Sequence, residues 1–202
     1  MTNHLEKIET IKFPTIYGQF NLTTYSTAYS KQPIMKYVIV LESKKQSDIP
    51  LVRIQSACLF GETFRTTQCD CGTQLDMSLK LLSEQGGILF YLDQEGRGHG
   101  IFNKTRELKL QEDDLDTVEA SERLNLQPDE RDYQVVIDIL HEMNIRKIKL
   151  ITNNPRKLIA FESSDIELVE RVPLEVEVTI DNSKYLHAKK HKLGHLLGKY
   201  VK

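Results

Sequence analysis

The sequence predicts an α/β fold: a single domain, residues 1–202, in which helices pack on a mixed β-sheet. Two observations predict it. Short β-branched or nearly all-apolar runs interleave with helical apolar stripes through the second half of the chain, the signature of a layered α/β protein. A composition of 40% hydrophobic and 28% charged residues over 202 positions suits one soluble core.

The elements follow in order. Roughly the first 50 residues read as mostly β and extend the sheet or pack against it. Runs at 37–41 and 51–54 are short, β-branched and bounded by polar residues or proline, so they read as strands. Those at 87–92 and 147–152 are nearly all apolar, as expected of strands covered on both faces. Leu75, Leu79 and Leu82 recur at helical spacing and stop at Gly86 and Gly87. Val135, Val136, Ile139, Leu140 and Met143 form a second stripe, and Asn154 followed by Pro155 starts a third helix. A last run at 168–178 alternates as a strand. Residues 183–202 hold six lysines and three histidines (His187, His191, His195) and read as a basic, helical, solvated tail.

Charge narrows the partners. A formal net charge of -2 gives no global attraction to nucleic acid or to an anionic membrane, so any anion site must be built locally from placed cations. The N-terminus lacks the basic start and apolar run of a secretory signal. No apolar stretch approaches the ~20 residues that cross a bilayer. The reading is a cytoplasmic protein.

Three cysteines remain to be accounted for. Cys58, Cys69 and Cys71 are odd in number and follow a C-x10-C-x-C spacing, which suits metal or catalytic use better than bridging. A zinc finger takes four ligands, whereas three protein ligands and an open position make a catalytic zinc, which lowers the pKa of its water to about 7. The alternatives are a closed site completed by a distant histidine, or three buried thiols without metal.

The stretch from Val52 to Leu75, V-R-I-Q-S-A-C-L-F-G-E-T-F-R-T-T-Q-C-D-C-G-T-Q-L, resembles the zinc segment of the GTP cyclohydrolase II family. The likeness continues in family order through Gln94-Glu95-Gly96-Arg97-Gly98, Asn103-Lys104, Asp116-Thr117-Val118-Glu119-Ala120 and Asp129-Glu130-Arg131-Asp132-Tyr133. It then runs through Thr152-Asn153-Asn154-Pro155-Arg156-Lys157, Val169-Glu170-Arg171-Val172-Pro173-Leu174 and Lys192-Leu193-Gly194-His195-Leu196-Leu197.

The resemblance implies hydrolysis of GTP at C8, with release of formate and pyrophosphate, giving a diaminopyrimidine ribosyl phosphate for riboflavin synthesis. It implies Zn2+ on Cys58, Cys69 and Cys71, Mg2+ on the nucleotide phosphates, and a homodimer. Asp129 matches the family's proton acceptor and Arg131 the arginine that attacks the α-phosphate. Read alone, without the resemblance, that pair is better taken as a surface salt bridge at a helix start. Arg53, Gln74 near the base, Glu95, Gly96, Arg97, Thr117, Thr152 near the phosphates, and Lys157 match nucleotide-binding positions. The glycines of Glu95-Gly96-Arg97-Gly98-His99-Gly100 would let the backbone approach a ligand closely, though such a turn is also an ordinary strand-to-helix bend. The length leaves no room for the dihydroxybutanone phosphate synthase domain fused to many relatives.

Several positions depart from the family. Gln55 and Ala57 replace a histidine and a glutamate, Gln68 an arginine, and His99 an isoleucine or similar residue. Leu108 stands where the family has a tyrosine beside the base; a phenol relays protons and leucine does not. Three readings therefore stay open: the full reaction, a divergent paralogue that keeps the formyl group or takes another purine nucleotide or heterocycle, and a zinc-stabilised nucleotide-binding module without catalysis.

Overall fold

The computed structural model describes residues 4–29, 35–199 and 201. Seven strands form one sheet in the order β1-β2-β3-β5-β4-β6-β7. The first three, β1 (His4–Thr15), β2 (Gly18–Ala28) and β3 (Tyr37–Ser43), make an antiparallel meander. Strands β4 (Leu51–Ser56), β5 (Gly87–Leu92), β6 (Lys147–Ile151) and β7 (Glu167–Val172) run parallel to their neighbours, and β5 joins the two halves by pairing antiparallel with β3. The mixed sheet read from the sequence is thus the observed one, and the N-terminal segment extends it.

Alternation along the strands sends side chains to two cores. Val52, Ile54, Phe90, Ile148 and Leu150 face one side, packed with Val135, Val136, Ile139 and Leu140 of α5 (Gln134–Glu142). Phe20, Leu41, Leu51, Leu89 and Ile151 face the other, packed with Leu75, Leu79 and Leu82 of α2 (Cys71–Gln85). Each fully buried leucine or isoleucine contributes roughly 1.5–3 kcal/mol as an upper bound.

Local signals set the ends of the helices. Gly86, at φ +86°, terminates α2 against the Lys45 carbonyl, where a Cβ would lie 2.5 Å away. Asn154 caps α6 (Pro155–Glu162) by accepting from the Arg156 amide at 3.0 Å. Helix α4 (Thr117–Arg123) starts on a capping box of Asp116 and Glu119.

Three differences from the sequence reading are physical. The run at 168–178 leaves the sheet after Val172, because Pro173 has no N–H to offer the ladder. Helices α1 (Leu59–Glu62), α3 (Gly100–Gln111) and α4 show no apolar stripe; the one buried residue of α3 is Glu107. The C-terminal segment is helical as α7 (Ser183–His191) but is not a solvated tail. Leu186, Ala188, Leu197 and Val201 are buried, and the Leu196 amide donates to the Asn153 carbonyl at 2.8 Å. This docks the segment across the C-terminal ends of β4 and β6, where open α/β sheets bind ligands. Among the described residues no helix is long and apolar enough to cross a membrane.

Candidate active site

Two adjoining cavities occupy that end of the sheet, and they differ in chemistry. The larger, about 380 Å³, holds the three thiols. Cys58 follows β4 directly, while Cys69 and Cys71 sit at the N-terminus of α2, so strand end and helix start bring the three together. Their Sγ atoms lie within 4.8 Å of one another, and among the described residues no histidine or carboxylate joins them. Gly61 is the floor of this cradle: a Cβ there would meet Cys69 Sγ at 2.7 Å and Cys58 Sγ at 3.1 Å.

The donor set fits a soft or borderline metal with one position left for an outside ligand. The bonds from Cys69 and Cys71, with the Lys104 ammonium 3.1 Å away, pull the Cys58 thiol well below its ordinary range. Cys69 moves the opposite way, raised by its hydrogen bonds with the Cys58 and Cys71 sulfurs and then by burial. A Gly61→Ala variant is expected to push the thiols apart and weaken metal binding roughly 10–100-fold, the range for a disturbed supporting shell; a competition titration with a zinc chelator measures it.

The second, smaller cavity is lined by Arg53, Arg97, Arg131, Lys157 and Lys189, with no carboxylate in its wall. Each cation is held from behind. Arg53, buried on β4, donates to Gln55 Oε1 at 2.7 Å and Gln74 Oε1 at 2.7 Å. Lys157 donates to the Ile54 carbonyl at 2.7 Å, and burial, then Arg53 and Arg131, lower its pKa well below the usual value. Lys189 of α7 pairs with Asp70 at 2.7 Å, and Gln74 Nε2 donates to the same carboxylate at 2.6 Å. So dense a set of cations, partly desolvated, is a site that attracts a polyanion.

Arg131 lines both cavities and is gripped by Asp129 through two bonds, Nε to Oδ1 at 2.9 Å and Nη2 to Oδ2 at 2.7 Å. Burial pushes Asp129 up, but the Arg131 charge and hydrogen bonds outweigh it and bring the carboxyl to about 2. This is no surface salt bridge: the side chains are 3% and 13% exposed. Asp129 itself lines neither cavity and reaches them through Arg131.

The glycine-rich turn supplies the wall between. Gly96, Arg97 and Gly98 take φ +60°, +58° and +96°. A Cβ on Gly98 would lie 3.2 Å from the Glu130 backbone, so this turn packs directly on the 129–131 segment. Glu95 Oε1 accepts from Lys104 at 2.6 Å, and Oε2 from the Leu59 amide at 2.6 Å.

The expected residues therefore divide. Cys58, Cys69, Cys71, Glu95 and Gly96 line the thiol cavity, and Arg53, Gln74, Thr152 and Lys157 the cationic one. Arg97, Thr117 and Arg131 line both. Gln74 is bonded to Arg53 and Asp70 on the cationic side, away from the thiol cavity. Of the departures, Ala57, Gln68 and Leu108 face the thiol cavity, and Gln55 is buried behind it between Arg53 and Glu62.

Lys104 and His195, which stand in the family likeness without an assigned role, and Tyr185 and Lys189, which carry no signal of their own, also line these spaces. His195 is held neutral: burial, then Lys189, Arg131 and Lys157, depress it from 6.5 to about 2. As pH falls below 6.5 the unfolded chain takes up a proton that folded His195 refuses, so stability falls with it. The slope is at most about 1.4 kcal/mol per pH unit. Urea denaturation at pH 7.5 and 5.5 is expected to show this loss, reduced in His195→Asn.

A family model described as GTP cyclohydrolase II matches residues 6–173. The riboflavin biosynthesis protein RibBA of Chlorobium phaeovibrioides is 44% identical over 91% of this chain and 45% of its own length. The RibBA proteins of Aquifex aeolicus and Bacillus subtilis are 42% and 41% identical, over 95% and 98% of this chain and 47% and 50% of theirs. The chain thus spans about half the length of these relatives. Since the match runs through the thiol cradle, the glycine-rich turn and the Asp129–Arg131 pair alike, the chain belongs to the GTP cyclohydrolase II family.

Proposed function

We propose that the protein opens the imidazole ring of GTP at C8, releasing formate and pyrophosphate and leaving a diaminopyrimidine ribosyl phosphate. The observation that carries this is the pair of joined cavities. One, beside three thiols, is walled by Phe60, Phe64 and Leu108, as a heterocycle requires. The other is lined by cations, as a triphosphate requires.

Cys58, Cys69 and Cys71 would hold zinc, which when bound supplies a Lewis acid and a nucleophile at neutral pH. Arg53, Arg97 and Lys157 would hold the phosphates, with Thr152 and Thr117 beside them; Mg2+, when bound with the nucleotide, would offset the phosphate charge. Gln74 fixes the Arg53 guanidinium, and Glu95 fixes Lys104 against the thiols. Arg131 would attack the α-phosphate: its nitrogen bonds to phosphorus, the α–β anhydride breaks and pyrophosphate leaves, and water then cleaves the P–N bond to free the monophosphate and restore the guanidine. Asp129 would take the guanidinium proton, a role supported by its two hydrogen bonds to Arg131 at 2.7 and 2.9 Å. The same reading makes the protein a cytoplasmic homodimer of riboflavin biosynthesis.

The aliphatic wall at Leu108 supports a second reading, in which the product keeps its formyl group. Tyr185 is the phenol that faces this cavity, and burial raises its pKa well above 10.0, so it carries its proton. Calorimetric titration with GTP, ATP and UTP tests the substrate: GTP is expected to bind at least about tenfold more tightly, a difference of ~1.4 kcal/mol. Equal affinities would count against guanine as the base.

A further inference from the structure

His99, which departs from the family, is buried with its side chain fully enclosed. It is not an inert filler. Its Nδ1 lies 3.0 Å from Glu107 Oε1, and because a carboxylate only accepts, the ring carries its proton there. Glu107, also buried, accepts from Ser121 Oγ at 2.8 Å and, through Oε2, from Arg97 Nη2 at 2.8 Å. Arg97 is held further by Ser121 Oγ at 3.0 Å and the Thr117 carbonyl at 3.1 Å.

These three bonds take three of the five N–H groups of Arg97. Two remain for a ligand, and their direction is set by the plane in which the guanidinium is clamped. Arg97 lines both cavities, and its own backbone is in the left-handed region at φ +58°, a conformation that persists only when the surroundings hold it. On the far edge of the ring, His99 Nε2 has no hydrogen-bond partner among the described residues and lies 4.0 Å from the carboxylate of Glu130, which stands between Asp129 and Arg131 in the chain.

We infer that His99 and Glu107 are positioning residues that clamp Arg97 at the junction of the two cavities, so that its remaining N–H groups, on Nε and Nη1, are held toward the phosphate end of the nucleotide. This rests on the proposed GTP reading for the ligand, though not for the clamp. Two polar groups buried together form a stable unit, whereas either alone is left unsatisfied. A buried acid and a histidine eight residues apart are therefore expected to act through one guanidinium and not independently.

The experiment is a mutant cycle read by calorimetric binding of GTP and of inorganic pyrophosphate to the zinc-loaded protein. His99→Leu and Glu107→Gln are each expected to weaken both ligands about tenfold. His99→Asn, whose amide can replace the Nδ1 donor, is expected to restore affinity to within about threefold and guards against a loss caused by misfolding. In an Arg97→Lys background, which has no fork to clamp, His99→Leu is expected to add no further loss.

A wild-type protein that binds both ligands while His99→Leu and Glu107→Gln bind equally well overturns the clamp and leaves the GTP reading standing. The same tenfold loss in the Arg97→Lys background also overturns it, since the effect would then not pass through Arg97. A wild type that binds pyrophosphate but not GTP, with the cycle otherwise as expected, supports the clamp and overturns GTP as the ligand. Binding of neither overturns both.

Discussion

Cys58→Ser is expected to strip the metal from the protein and lower GTP turnover more than about a hundredfold, beyond what loss of a merely supporting partner causes. The reason lies in the cradle. Among the described residues three donors converge, within 4.8 Å, so losing one leaves two. Serine matches cysteine in shape but is a poor ligand for a soft or borderline metal at neutral pH. Cys58 is also the sulfur that Lys104 approaches, at 3.1 Å. Its replacement removes the charge that holds that ammonium beside Glu95. Metal content by plasma emission spectrometry, set beside the rate of formate release, checks the result. Full activity without bound metal would contradict it.

Asp129→Ala is expected to be the most damaging change away from the thiols. It leaves the Arg131 guanidinium buried with no countercharge, which destabilises by about 3–5 kcal/mol. For a protein of this size that lowers the melting temperature by roughly 6–20 °C. Arg131→Lys separates chemistry from stability. Lysine keeps the charge near Asp129 but offers no fork, so folding should survive while pyrophosphate release falls about 10²–10³-fold, the range for losing one aimed donor. Thermal melts and a pyrophosphate-release assay read the two effects independently. An Arg131→Lys variant with unchanged release would remove Arg131 from the chemistry.

Much of this architecture is legible in the sequence, and the illegible parts share a cause. The strands and helices α2, α5 and α6 announce themselves through apolar periodicity, Gly86 and Asn154-Pro155, because their buried faces are hydrocarbon. The thiol cradle is legible from the spacing of three cysteines. Helices α3 and α4 are not, because their inward faces carry Glu107, Thr117 and Ser121, which satisfy one another and Arg97 in place of packing as hydrocarbon. The tail misleads for a related reason: Lys189 reads as a solvated charge until Asp70, 119 residues earlier, is seen to take it. His99 reads as an oddity until Glu107 is found beneath it. Polar groups that are buried in pairs leave no periodic trace in a sequence.

The most direct test of the central claim is mass spectrometry of GTP incubated with protein loaded with zinc and magnesium. The expected products are the diaminopyrimidine ribosyl phosphate, formate and pyrophosphate. A ring-opened product that keeps its formyl group would assign the enzyme the shorter reaction and tie it to Leu108. GTP recovered unchanged from metal-loaded protein would rule out ring opening of GTP as the activity of this protein.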